Sequence, residues 1–170
     1  MSLIINDKIQ ELMKGYPTVS DKYNVTGGSL IGSTNAKFGE LVLFSSTKGY
    51  FSAVTADGIT SVDDIAGFVL ATNVKLAEGF PGTDSEVKAG EAFNLLVNGF
   101  MAIELDASAT PEQILANKKV HVILASGKLT TADKASAGTI VELPNVVFTG
   151  VYENQGTSAS PKYIAEIYVK

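Results

Sequence analysis

His121 is the chain's single histidine, so acid–base catalysis near neutral pH would have to centre on it. It lies in KVHVIL. A strand there sends Val120 and Val122 to one face and His121 to the other, with Lys119 and Ile123. No G-x-S-x-G elbow accompanies it, and the pattern reads as a strand-surface histidine. One histidine and no cysteine leave too few ligands for the common zinc sites and exclude disulfides and thiol catalysis. GGSLIGST (27–34) approaches a phosphate loop: Gly27 and Gly32 have the right spacing and Thr34 the right place. Ser33, however, stands where the lysine must be, and neither a clear strand before nor a helix after frames it. The other reading is a Gly/Ser arm. Asp57, Asp63 and Asp64 in DGITSVDD lack the alternating spacing and distal glutamate of an EF-hand. Asp57-Gly58 reads as a turn, and Ser61 caps a helical turn over 62–65, with a surface cation as the alternative. Glu104, Glu142 and Glu166 are isolated carboxylates on strands, and no spacing places two of them at glycosidase distance. The sequence points to no catalytic centre, no metal and no cofactor.

The composition narrows the rest. The chain has 170 residues, 45% of them apolar and only 18% charged, enough for one domain with a substantial core. Thirteen basic against 18 acidic residues give a charge of −5. All the basic residues are lysine. Arginine is the usual fork for phosphates and bases, so its absence from an acidic chain argues against nucleic-acid binding. No apolar run approaches the roughly 20 residues of a membrane span. MSLIINDKIQ lacks the features of a signal peptide, so a soluble protein without a membrane partner is expected.

Two regions would have to hold whatever function there is. Residues 4–15 suit a short amphipathic helix, with Ile5, Ile9 and Leu12 in a helical stripe and Met13 beside it. Asp7 is the N-cap, Gln10 the capping-box partner and Gly15 the stop. A helix this short is marginal alone, so its apolar face must dock. Residues 16–38 carry Pro17, several glycines and many small polar residues without sustained periodicity, which reads as an arm. Fully extended, it spans roughly 75 Å, enough to reach another subunit or to wrap its own body. The expected division is a helix and arm over 1–38 and a β-rich body over 39–170.

The body reads as short strands. GELVLF (39–44) and YFSAV (50–54) flank a turn at Lys48-Gly49, and AGFVLAT (66–72) follows before an irregular loop over 73–90. Asn98-Gly99 is the favoured pair for a two-residue type I′ hairpin between EAFNLLV and FMAIEL. In that register both faces come out mostly apolar. An ordinary half-exposed hairpin alternates, so both sides should be covered, by the chain itself or by a neighbour. TPEQILANK (110–118) reads as a helix capped by Thr110 with Pro111 in its first turn. KVHVILA (119–125), a Ser126-Gly127 turn, KLTTA (128–132), VVFTGVY (146–152) and YIAEIYVK (163–170) complete the set. The fold class is therefore mainly β: a small barrel or sandwich with one or two short helices and the N-terminal helix and arm. An internal echo runs through it, each half reading hairpin, single strand, closing strand.

NAKFGELVLFSSTKGYFSAVT followed by AGFVLAT resembles the start of the cement, or decoration, proteins of tailed-phage heads. VHVILASGKLTTA, VVFTGVY and YIAEIYVK resemble the family's G-K-x-T turn, V-F-T-G strand and A-E-I closing strand. The resemblance covers roughly 36–170 and implies a non-enzymatic β domain on the outer surface of the virion capsid. It further implies that the domain bridges neighbouring major capsid protein subunits, commonly as a trimer. The helix and arm exceed what the family body needs, which makes Ile5, Ile9, Leu12, Met13, Tyr16 and Tyr23 the expected capsid or subunit interface. The alternative is a carbohydrate- or cell-surface-binding module such as a head-fibre base. It would draw on Tyr16, Tyr23, Tyr50, Tyr152, Tyr163 and Tyr168, without any tryptophan.

Overall fold

A computed structural model describes residues 14–15, 17–18, 23–71, 86–131 and 138–170. The expected helix therefore lies outside the described residues except for Lys14 and Gly15, and so do Ile5, Ile9, Leu12, Met13 and Tyr16. Tyr23 is described by its backbone alone. The described chain is mainly β. Its strands are β1 (Tyr23–Ile31), β2 (Ala36–Lys37), β3 (Leu41–Phe44), β4 (Tyr50–Ala53), β5 (Ile65–Leu70) and β6 (Glu86–Val87). There follow β7 (Ala92–Glu104), β8 (Lys119–Ile123), β9 (Lys128–Thr130), β10 (Ile140–Asn154) and β11 (Tyr163–Val169).

Nine strands form one sheet in the order β1-β4-β3-β5-β7-β11-β10-β8-β9, and β1 also pairs with β7. That second pairing closes β1, β4, β3, β5 and β7 into a five-stranded barrel, which settles barrel over sandwich. Closure pairs β1 with β4 only from Ser29 to Ile31, so among the described residues the earlier part of β1 is paired with β7 alone. Leu30, Val42, Phe51, Val69, Phe93 and Leu95 fill it. The β2–β6 pair contributes Ala36 and Val87 to the same cluster.

The second half repeats the plan. The β8–β9 hairpin answers β3–β4, β10 lies beside β8 as β5 lies beside β3, and β11 answers the first half of β7. In the first half β1 runs antiparallel to β7 and then parallel to β4, at Ser29↔Tyr50 through Ile31↔Ser52. In the second, residues 99–104 run antiparallel to β11, and Leu105 makes a parallel bridge to Leu129 of β9. The echo read from the sequence is thus an echo of architecture. A second apolar cluster, including Met101, Ile103, Val120, Val122, Phe148 and Ile167, fills this half and reaches Phe68 and Leu96 on the outside of the first.

Three expectations are corrected. Asn98-Gly99 is no hairpin: β7 is continuous for 13 residues. Its first part pairs with β1 and β5 and its last with β11. Asn98 is not among the positive-φ residues, while Gly99 has φ +129°. The glycine lets one strand turn from one half into the other. Both faces of β7 are nonetheless covered by the chain, since Leu95 lies in one cluster and Leu96 in the other. The arm is corrected next. Residues 23–31 form β1, and before it Pro17 makes a separate antiparallel bridge to Met101 of β7. Gly28 hid this strand: a Cβ there would lie 2.1 Å from Cε2 of Phe51, whose ring occupies the space a side chain would need. Finally, the helix over 110–118 is a single 3-10 turn, Pro111–Gln113. Asn117 takes φ +66°, and Asn117 and Lys118 exchange backbone hydrogen bonds with Phe148 on β10. Sheet pairing outcompetes the helix.

Other local readings hold. Gly49, with φ +82°, turns β3 into β4. Thr55↔Gly58 closes the Asp57-Gly58 turn, and Ser61 caps Val62–Asp64 in a full capping box.

Candidate functional site

His121 lies half-buried on β8 between the fully buried Val120 and Val122. Its Nδ1 is 3.1 Å from the Lys119 carbonyl oxygen, which accepts the ring proton. The bond ties the ring to its own strand. Glu142 pairs with Lys119 at 3.4 Å. The glycines of GGSLIGST serve the barrel: Gly28 admits Phe51 and Gly32 supplies φ +97° after β1. Among the described residues no three His, Asp or Glu side chains gather as a metal site would require.

The structure does bring together a charged cleft that the sequence did not reveal. It encloses about 440 Å³ between the two halves. Lys14 reaches Glu40 at 3.8 Å and Glu104 at 3.7 Å, Lys162 reaches Glu104 at 3.5 Å, and Lys128 reaches Asp106 at 3.8 Å. Glu40 precedes β3, Glu104 ends β7, and Lys162 precedes β11, so the pairs clasp segments distant in sequence. At these separations in contact with water each contributes roughly 0–1 kcal/mol. Burial pushes the Asp106 carboxyl up, yet the Ser108 backbone N–H at 2.9 Å and the nearby Lys128 ammonium outweigh it and hold the group below its ordinary value. Its ion pairs make the cleft a clasp between segments distant in sequence.

The surface offers more to a macromolecule. Val25, Phe44, Tyr50, Val97, Leu115, Val151 and Tyr152 are all large apolar or aromatic side chains that stand exposed. Phe44, at 60%, is the most exposed of them, against a Phe51 ring 6.2 Å away. The described tyrosines do not form one platform for a sugar. Tyr168 stacks on Phe100 at 4.5 Å, Tyr152 meets Tyr163 edge-on at 6.2 Å, and Tyr50 belongs to β4 in the other half. Among the described residues the exposed apolar side chains are spread over both halves of the molecule.

The family model described as structural cement protein (E217 gp24/Pam3 gp6) matches residues 5–170. The chain belongs to this phage structural cement protein family. A chain from the solved structure "The capsid of Myoviridae Phage XM1" shares its fold, with a TM-score of 0.58 at 15% identity, covering 97% of this chain and 96% of that one. No curated protein matches. The family match begins at residue 5, ahead of the stretch from 36 onward in which the resemblance was first visible. The region containing β1 is thus family sequence and not an addition to it. The family is named for a structural, cementing role in phage and not for a reaction.

Proposed function

We propose that this cement protein binds the outer surface of the assembled phage head and holds neighbouring major capsid protein subunits together without catalysing any reaction. The family match over residues 5–170 carries this reading. The scattered exposed apolar side chains support it, and so does charge. An acidic chain without arginine is better placed outside a DNA-filled shell than against its inner wall. The mechanism is additive burial: roughly 800 Å² of contact per partner is a standard interface, and symmetry repeats it over the shell.

Ile5, Ile9, Leu12 and Met13 are the proposed anchor, with Tyr16 and Tyr23 flanking the tether that leads from them to β1. Burying three or four such side chains contributes on the order of 5–8 kcal/mol before ordering costs. Copies are proposed to associate with one another on the shell. The family resemblance implied trimers, and the particle's symmetry decides how many copies meet at each point.

The test is addition of the purified chain to heads that lack it. Co-sedimentation at saturable stoichiometry is expected, together with heads that survive higher temperature than undecorated ones. Heads that neither retain the protein nor gain heat resistance would refute the reading.

A further inference from the structure

Among the described residues one strand edge of the barrel is left without a partner, and its features are self-complementary. On β1, Ser29 N–H donates to the Gly49 carbonyl on the β4 side, whereas Leu30 N–H donates to Glu91 and Leu30 C=O accepts from Gly90 on the opposite side. Backbone groups alternate along a strand, so the N–H and C=O of Val25 and Gly27 point the way Ser29 does, away from β7. The β4 pairing begins only at Ser29. Val25 and Gly27 therefore present two donors and two acceptors with no partner among the described residues. Asn24, Val25, Thr26 and Gly27 are all exposed. The edge also lacks the usual protection: YNVTGGSLI contains no charge and no proline.

We propose that this edge pairs with the same edge of a second copy, antiparallel, about a two-fold axis at Thr26. That register places Val25 opposite Gly27 of the partner and Gly27 opposite Val25 of the partner, and makes four backbone hydrogen bonds. Thr26 meets Thr26 of the partner as a close non-hydrogen-bonded pair, a favourable combination. The side chains agree. Val25 is 44% exposed, and a Cβ built on Gly27 would meet nothing within 4 Å. An isopropyl group from one copy thus lies over the open space at the glycine of the other. Val97, the extra β7 residue at the bulge beside Val25, is exposed next to it and extends the apolar contact. An unrelated strand would have to reproduce this spacing of valine, threonine and glycine. A second copy carries it already.

Four hydrogen bonds and a few small side chains bury far less than the roughly 1,200 Å² of a standard stable interface. The pair is therefore weak in free solution and becomes effective where two copies are held side by side. The step to the capsid rests on the proposed cement function; the pairing itself does not.

Sedimentation equilibrium of the full chain up to about 1 mM gives a direct reading. A monomer–dimer equilibrium is expected. Thr26→Lys and Thr26→Glu should each weaken it at least tenfold by placing like charges opposite one another, and an equimolar mixture of the two should restore it. Both substitutions lie at an exposed side chain, and circular dichroism confirms the fold. Hydrogen exchange on the unsubstituted chain provides a second readout. The Val25 and Gly27 amides should gain protection as concentration rises, while Thr26, whose amide faces β7, stays protected throughout. A monomer at every concentration, a dimer or trimer indifferent to charge at position 26, or Val25 and Gly27 amides indifferent to concentration would overturn the proposal. Loss of head binding with the dimer intact would instead count against the cement reading alone.

Discussion

Gly28→Ala is the sharpest test of how β1 enters the barrel. The added methyl carbon would sit 2.1 Å from Cε2 and 2.4 Å from Cδ2 of Phe51, with the Gly49 carbonyl oxygen at 3.2 Å. Phe51 is only 7% exposed, and its ring packs edge-on against Phe93 at 5.7 Å. The ring has two ways out. Displacement within the core is overpacking, which costs about 1–3 kcal/mol. Expulsion into water forfeits a phenylalanine's burial, also about 1.5–3 kcal/mol. Replacing glycine lowers the entropy of the unfolded chain and returns roughly 0.4–1 kcal/mol. A net loss of about 1–2 kcal/mol is expected, which lowers a urea midpoint by about 0.5–1 M. Gly27→Ala is the control. The neighbouring Cβ would meet nothing within 4 Å, so stability should change by less than about 0.5 kcal/mol. Phe51→Leu should relieve the clash, making the Gly28→Ala, Phe51→Leu pair less costly than the sum of its parts. Equal effects at positions 27 and 28 would refute the packing argument and the position of β1 with it.

Asn98→Ala should leave the denaturation midpoint within about 0.5 kcal/mol, while Gly99→Ala should cost roughly 1 kcal/mol or more because only Gly99 has a positive φ; equal losses would restore the hairpin. Asp106 has a carboxyl pKa below its ordinary 3.8 in the fold. Its contribution is therefore present above about pH 4 and is lost as pH falls through the lower folded value, so a pH series of melting temperatures should show a shallower acid limb in Asp106→Asn. Deleting residues 1–13 should leave a cooperative β melt and abolish retention on heads. Deleting 1–35 should unfold the body, because it removes β1 and the fully buried Leu30; circular dichroism and co-sedimentation read both.

Much of the fold was legible because most of the body's strands carry local signals. Lys48-Gly49, Asp57-Gly58 and Ser126-Gly127 each sit in turns, and the strands beside them follow apolar patterning. What failed locally failed for tertiary reasons. Asn98-Gly99 spells a turn, but the same glycine also serves a strand that bends between two cores. The discordant clue was the apolar character of both faces of β7, which fits a strand buried on each side better than a surface hairpin. β1 read as an arm because an aromatic ring from another strand supplies what Gly28 lacks, and no window of sequence around residue 28 contains Phe51. The charged cleft was invisible for a similar reason: Lys14, Glu40, Glu104 and Lys162 meet only after the halves close. The open edge at Val25 and Gly27 left one trace in the sequence, the nine uncharged residues of β1.

The position of β11 bears on how the chain is made. It is the last of the described strands in chain order, yet it lies inside the sheet between β7 and β10. The first barrel has all its strands once Glu104 has emerged. β10 and the last part of β7, by contrast, wait with bare edges and buried-type side chains until Tyr163–Val169 arrives. A nascent chain halted before that point presents the surfaces that chaperones and proteases recognise. Synthesis order therefore matters to the fold: only a chain that reaches β11 can pair the inner edges of β7 and β10 and seal the second half.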